Sequence, residues 1–184
     1  MRVLGISGSL RRESHNSALL RAAAERLPGG AELVLFERLD EIPPYDEDDE
    51  MRGTPESVRE LRETIRSADA VLIATPEYNH SIPGQLKNAL DWASRPAGQS
   101  ALNGKPVATI GASTGMFGAV WAQAELRKVL GAMGGRVLEA ELPVAHANEL
   151  HRNGKLELEP EQAEQLDEVL SELVAAAERE PVAA

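Results

Sequence analysis

The chain has 184 residues, with 19 Lys and Arg against 30 Asp and Glu and a formal net charge of −11; it has no cysteine, and its rings are limited to two Trp, two Tyr and two Phe. A disulfide framework, a Cys-ligated metal, a thiol nucleophile and a CxxC redox pair are excluded, so any redox chemistry would run on a borrowed cofactor. The acidic balance repels nucleic-acid backbones and anionic lipid, and no segment has the apolar length of a secretory leader or of a ~20-residue membrane span, so a cytoplasmic protein with no nucleic-acid or membrane partner is expected.

Taken in chain order, β-length apolar runs alternate with helical stripes. Arg2 to Ser7 reads as a strand, Leu20, Ala23, Ala24 and Leu27 share a helical face, and Glu32 to Phe36 reads as a second strand. The run Asp46-Glu47-Asp48-Asp49-Glu50 after Ile42-Pro43-Pro44-Tyr45 predicts a solvated loop; it lacks the alternating ligands and Gly turn of a calcium site. Thr54 with Pro55 predicts a capped helix start, and Val58, Leu61 and Ile65 form that helix's apolar face. The third strand, Ala70 to Thr75, and the fourth, Val107 to Gly111, are apolar nearly throughout, as strands covered on both faces should be. Pro83 opens a helix whose face is Leu86, Ala89, Leu90 and Ala93. Leu126, Val129, Leu130 and Met133 form another that Gly134-Gly135 ends. A fifth strand is predicted from near Arg136 to Leu142, broken by Pro143, and Pro160 opens a final helix with Leu166, Val169, Leu170, Leu173, Val174 and Ala177 inward. Strictly alternating strands and helices imply right-handed crossovers and a doubly wound sheet. Five strands point to a flavodoxin-like three-layer α/β/α sandwich, its parallel sheet in the order 2-1-3-4-5, as one domain over residues 1–184.

Ligands of such sheets bind beyond the carboxyl ends of the strands, where strand order reverses. Three loops leave that edge. The first, Gly8 to Ser17, places Ser9, Arg11, Arg12, Ser14, Asn16 and Ser17 just before a helix, whose free N–H groups and dipole favour an anion. Hydroxyls, an amide and a guanidinium fork suit a terminal phosphomonoester; a simple capping turn would use some of the same residues. The loop is neither a Walker A motif nor GxGxxG. The second loop sets Pro76, Glu77, Tyr78 and Asn79 where a planar heterocycle would meet amides and a ring; alternatively Glu77 is a general base with His80, although no hydroxyl nucleophile completes a triad. The third, with Ser113, Thr114 and Gly115 between Gly111 and Gly118, allows backbone close to a flat ligand or is an ordinary flexible loop. His15, His146 and His151 lie in separate segments without HxH or HxxxH spacing, so no metal site is expected.

Taken together, Gly8-Ser9-Leu10-Arg11 with Ser14 and Asn16-Ser17, Thr75-Pro76-Glu77-Tyr78-Asn79 with Ser81-Ile82-Pro83-Gly84, Leu86-Lys87-Asn88-Ala89-Leu90-Asp91-Trp92, and the Gly111 to Gly118 stretch strongly resemble the NADPH-dependent FMN reductase family. Members described as quinone, chromate or azo reductases look most similar. The resemblance implies FMN as cofactor, NADPH or NADH as electron donor and a small-molecule acceptor. Hydride would pass from NAD(P)H to bound FMN, and electrons then to a quinone, flavin, azo compound or chromate-like acceptor in a ping-pong cycle. It implies that Ser9, Arg11, Asn16 and Ser17 hold the FMN phosphate, that Pro76, Glu77, Tyr78 and Asn79 line the isoalloxazine, and that Ser113, Thr114 and Gly115 touch its other side or edge. No side chain need act as a catalytic acid or base, with Asn79 at most a modulator of the flavin. A homodimer or homotetramer built through the helix bearing Lys87, Asn88, Asp91 and Trp92 is likewise implied. Relatives often carry Tyr or Gly where His80 stands. The alternative is a flavodoxin-type electron carrier without NAD(P)H oxidation of its own, against which stand the missing Thr-x-Thr-Gly-type phosphate loop and the Pro76-Glu77-Tyr78-Asn79 block.

Overall fold

Leu4, Ile6, Val71, Ile73 and Val107 pack into one apolar cluster, while Val3, Ala70, Leu72, Ala108 and Ile110 pack into another. This two-residue alternation along buried strands makes a sheet with a core on each face. The computed structural model describes residues 1–179. Its elements are β1 (Arg2–Ser7), α1 (His15–Arg26), β2 (Glu32–Phe36), a 3-10 turn (Leu39–Glu41), α2 (Glu47–Arg52), α3 (Glu56–Ser67), β3 (Ala70–Thr75), α4 (Gly84–Ala93), β4 (Pro106–Ala112), α5 (Val120–Ala132), β5 (Arg136–Val144), α6 (Ala147–Leu150), β6 (His151–Arg152), β7 (Lys155–Leu156) and α7 (Pro160–Glu178). The five long strands are parallel in the order β2-β1-β3-β4-β5, the flavodoxin-like arrangement expected. Helices α3, α4 and α5 cover one face, and α1 and α7 the other. Register brings Ser7 beside Ala74, Thr75 beside Gly111 and Ala112 beside Val144, so the loops after β1, β3 and β4 leave one edge together.

Several local expectations are corrected. Pro143 does not break the fifth strand: β5 continues to Val144 with Pro143 beside Gly111. It is an edge strand, where a residue without N–H removes no ladder bond. The acidic run is a short helix rather than a loop, because the Asp46 carboxylate caps it by accepting from Asp48 N and acidic side chains suit a helix N-terminus. Pro55 rather than Thr54 occupies the N-cap of α3; the Thr54 hydroxyl accepts from Arg62 Nη1 at 3.3 Å instead. Ala24 is exposed, the inward face of α1 being Ala18, Leu19, Leu20 and Ala23.

Two of the four residues named on α4 are used within the chain. Trp92 is fully buried and its indole N–H donates to the Pro43 carbonyl at 2.9 Å. Asn88 donates to the same carbonyl and accepts from Tyr45 N at 2.7 Å, so both side chains pin the proline-rich turn to the core. Lys87 and Asp91 remain half-exposed and pair with each other at 2.6 Å. Among the described residues no helix is long and apolar enough to cross a membrane, and no three His, Asp or Glu side chains are grouped to hold a metal.

Candidate active site

Strand order reverses between β1 and β3, and there the three loops enclose a cleft of about 90 Å³ lined by Ser9, Arg11, Asn16, Pro76, Glu77, Tyr78, Ser113 and Thr114 of the predicted set. The first loop is organised by Ser14, the N-cap of α1, whose Oγ accepts from Asn16 N and Ser17 N at 3.2 Å each. Arg11 N donates to Ser9 Oγ at 3.4 Å, and Gly8 N bonds the Ala74 carbonyl at 2.8 Å, fixing where the chain leaves the sheet. At Gly8 a β-carbon would stand 2.9 Å from Leu86 Cδ2, so a larger residue would have to displace the Leu86 side chain.

Asn16 departs from its expected role. Its buried amide donates to the Ala112 carbonyl and its side-chain oxygen accepts from Ala112 N, each at 2.9 Å. The side chain therefore clamps the first loop to the end of β4 instead of reaching out as a phosphate donor. Ser17 donates to Ser7 Oγ at 2.9 Å and opens into a neighbouring cavity of about 350 Å³ that Ser9 and Arg11 also line.

Glu77, whose side chain is only 13% exposed, points across to α5 and accepts from Trp121 N and Ala122 N at 3.1 and 3.0 Å. Helix α5 has no side-chain cap of its own, since Ala119 stands at its N-cap, so a carboxylate from another loop occupies that position. This use takes the carboxylate away from the cleft, and the general-base alternative loses its candidate. His80 Nδ1 lies 3.6 Å from the same carboxylate.

Tyr78 and Ser81 exchange backbone hydrogen bonds across Asn79 and His80, both at positive φ (52° and 59°). This is a tight turn of the mirror-image class, which sets Asn79 at its exposed tip. The third loop is tied to the chain after β5 by Ser113 N to Val144 O, Ala147 N to Ser113 O and His146 N to Gly115 O. Gly118, at φ 58°, would place a β-carbon 2.5 Å from the Pro143 carbonyl carbon; here it is the protein's own backbone that demands glycine. Tyr78, Met116, Phe117 and Trp121 are all exposed around the opening, with Trp121 edge-on to both His80 and Phe117.

One pairing is invisible in the sequence. His15, at the start of α1, and His151, 136 residues later, meet Nδ1 to Nδ1 at 2.7 Å, so one ring donates to the other. His15 is held below the ordinary imidazole value, first by burial, then by His151 and Arg11. The β6–β7 hairpin that carries His151 is also outside the expected elements, although Asn153-Gly154 is a hairpin signal in the sequence.

The donor set suits FMN: hydroxyls of Ser9 and Ser113, the Arg11 guanidinium and exposed loop amides for a phosphate and ring edge, with exposed aromatic side chains for a flat face. Comparison with known proteins gives the same direction. A family model described as NADPH-dependent FMN reductase matches residues 1–149. An NAD(P)H-dependent FMN reductase of Pseudomonas aeruginosa is 52% identical over 71% of this chain and 69% of its own length. A quinone reductase of Pseudomonas putida is 46% identical over 68% of this chain and 67% of its own. The solved structure of the flavoenzyme NAD(P)H:(acceptor) oxidoreductase FerB from Paracoccus denitrificans superposes with a TM-score of 0.83, at 36% identity, covering 96% of this chain and 97% of that one.

Proposed function

We propose that this chain, which belongs to the NADPH-dependent FMN reductase family, is an NAD(P)H-dependent FMN reductase of the quinone reductase type whose donor and acceptor use one cleft in turn. The observation that carries the reading is the convergence, at the strand-order reversal, of a phosphate-suited loop, a tight turn with exposed Tyr78, and a third loop laced to the chain after β5. FMN, when bound, supplies the acceptance of hydride and its onward delivery as electrons. The chain's own residues bind and orient. Ser9, Arg11 and Ser17 would hold the phosphate, with Asn16 fixing the loop that carries them. The backbone of Pro76, Glu77, Tyr78 and Asn79 would line the ring system, and Ser113, Thr114 and Gly115 its other edge. No acid or base is assigned among the side chains, and Asn79 contributes as a modulator of the flavin's electronics.

The acceptor class in this reading is a quinone, a flavin, an azo compound or a chromate-like oxidant, since the opening of the cleft is formed by exposed loops and selects by shape. The reaction takes place in the cytoplasm and in a homodimer or homotetramer, and the domain is a single unit over residues 1–184, of which residues 180–184 lie outside those described. The flavodoxin-type carrier is the second reading; it is weakened by the match of residues 1–149 to the reductase family model. Mixing FMN-loaded protein anaerobically with NADPH distinguishes the two: bleaching of the flavin's long-wavelength band is expected, and persistence of the yellow colour would favour the carrier. In steady state, double-reciprocal plots at several quinone concentrations should be parallel, whereas intersecting lines would rule out alternate use of one cleft.

A further inference from the structure

In a chain with eleven more acidic than basic side chains, arginines should find carboxylates, and Arg26, Arg38, Arg52, Arg59, Arg127 and Arg152 do. Among the described residues other guanidinium groups have no carboxylate oxygen within 4 Å, including those of Arg2, Arg62, Arg66 and Arg95; of this unpaired set Arg11, Arg12 and Arg21 converge on one cavity of about 570 Å³. Glu13 is the only acidic residue on its wall. The opposite wall is Asn148 with the β6–β7 hairpin, held against α1 by the His15–His151 hydrogen bond. Three guanidinium forks without partners repel one another, an arrangement relieved by an anion, and such forks match a phosphomonoester two bonds at a time.

The cavity continues into a groove of about 280 Å³ between α1 and the hairpin, and Arg21, Asn153 and Gly154 belong to both. Ala18, Ala22 and Leu156 provide the groove's apolar surface, and Glu25 is paired with Lys155 at 3.4 Å. A phosphate-matching cavity opening into an apolar slot has the character of a nucleotide site, and its volume falls within the range of ligand pockets, far above what a bare phosphate needs. Arg11 lines both this cavity and the cleft between the loops, so the two are contiguous. The hairpin lies just beyond residues 1–149, the stretch matched by the family model.

We propose that the cavity and groove receive the adenosine end of the dinucleotide donor, its 2′-phosphate on Arg12 and Arg21 and its adenine against Ala18, Ala22 and Leu156, so that Arg21 sets a preference for NADPH over NADH. The inference rests on the reductase reading, because only that reading brings a dinucleotide to the adjacent cleft.

The test is equilibrium binding by calorimetry to the FMN-loaded protein, with 2′,5′-ADP, ADP and inorganic phosphate as probes. The wild type should bind 2′,5′-ADP roughly tenfold more tightly than ADP, one charge-assisted contact's worth, and Arg21→Ala should erase that difference. Ala22→Leu fills the groove without altering charge and should weaken both nucleotides, with retained FMN confirming that each variant is folded. Equal affinity of the wild type for the two nucleotides, or wild-type affinities in Arg21→Ala, overturns the subsite. Inorganic phosphate bound as tightly as 2′,5′-ADP overturns it as well, because a bare anion site needs no adenosine. None of these measurements requires turnover. Arg21-dependent binding of 2′,5′-ADP in a protein that NADPH fails to bleach would leave the nucleotide site standing and overturn the reductase reading instead.

Discussion

Asn79 and His80 stand side by side in left-handed backbone, a conformation that crowds any β-carbon against the following carbonyl at about 1–2 kcal/mol per residue. Asn is among the residues that adopt it most readily; His80 is held there by the turn's two backbone bonds, the Trp121 ring and the nearby Glu77 carboxylate. His80→Gly should therefore raise stability by about 0.5–1 kcal/mol, read as a higher urea midpoint, because removing the imidazole from the Trp121 edge offsets only part of the strain relieved. A lower midpoint would mean that Trp121 and Glu77 hold the imidazole more strongly than the backbone resists. The left-handed pair is not visible in sequence, since only Asn of the two belongs to the usual turn vocabulary.

At the scale of elements, two joints between distant segments shape the site. Glu77 caps α5 from another loop, so Glu77→Ala should cost about 1–2 kcal/mol of unfolding free energy and loosen the first turn of α5, seen as faster amide exchange at Trp121 and Ala122. Glu77→Gln, which keeps an acceptor and removes the charge, should recover part of the loss. The other joint is His15 against His151. Because the folded state depresses the His15 imidazole, the unfolded chain takes up the proton more readily. The stability the pair contributes is full above the ordinary value of 6.5 and is lost as pH falls through it toward the lower folded value. Thermal melts from pH 8 to pH 5 should show the decline beginning near 6.5. His151→Leu removes the second imidazole and should make that decline shallower; an identical slope would leave burial and Arg11 as the causes.

Across the whole molecule, exposed Leu10, Tyr78, Met116, Phe117 and Trp121 all sit on or beside the loops at the carboxyl edge of the sheet, while the aliphatic side chains supply both cores. Five of the seven exposed large apolar side chains among the described residues gather on this edge, Met1 and Met51 standing apart, which suits a contact surface for the proposed assembly. Sedimentation equilibrium at micromolar concentration should give two or four times the chain mass, with Phe117→Ser shifting it toward the monomer; a monomer in the wild type would refute the assembly.

The sequence by itself determined the five strands, the helices between them and the edge on which ligands meet, because apolar periodicity and Pro or Gly punctuation act over a few residues and right-handed crossovers leave few topologies. It also located the three loops and, through the Pro76-Glu77-Tyr78-Asn79 block, the family. Tertiary structure alone decided where individual side chains go. Asn16 is spent on Ala112, Glu77 on α5, Trp92 on Pro43, and His15 on a ring 136 residues away. A polar side chain takes whichever unsatisfied partner the assembled fold places within about 3 Å, and that geometry exists only after the sheet has formed.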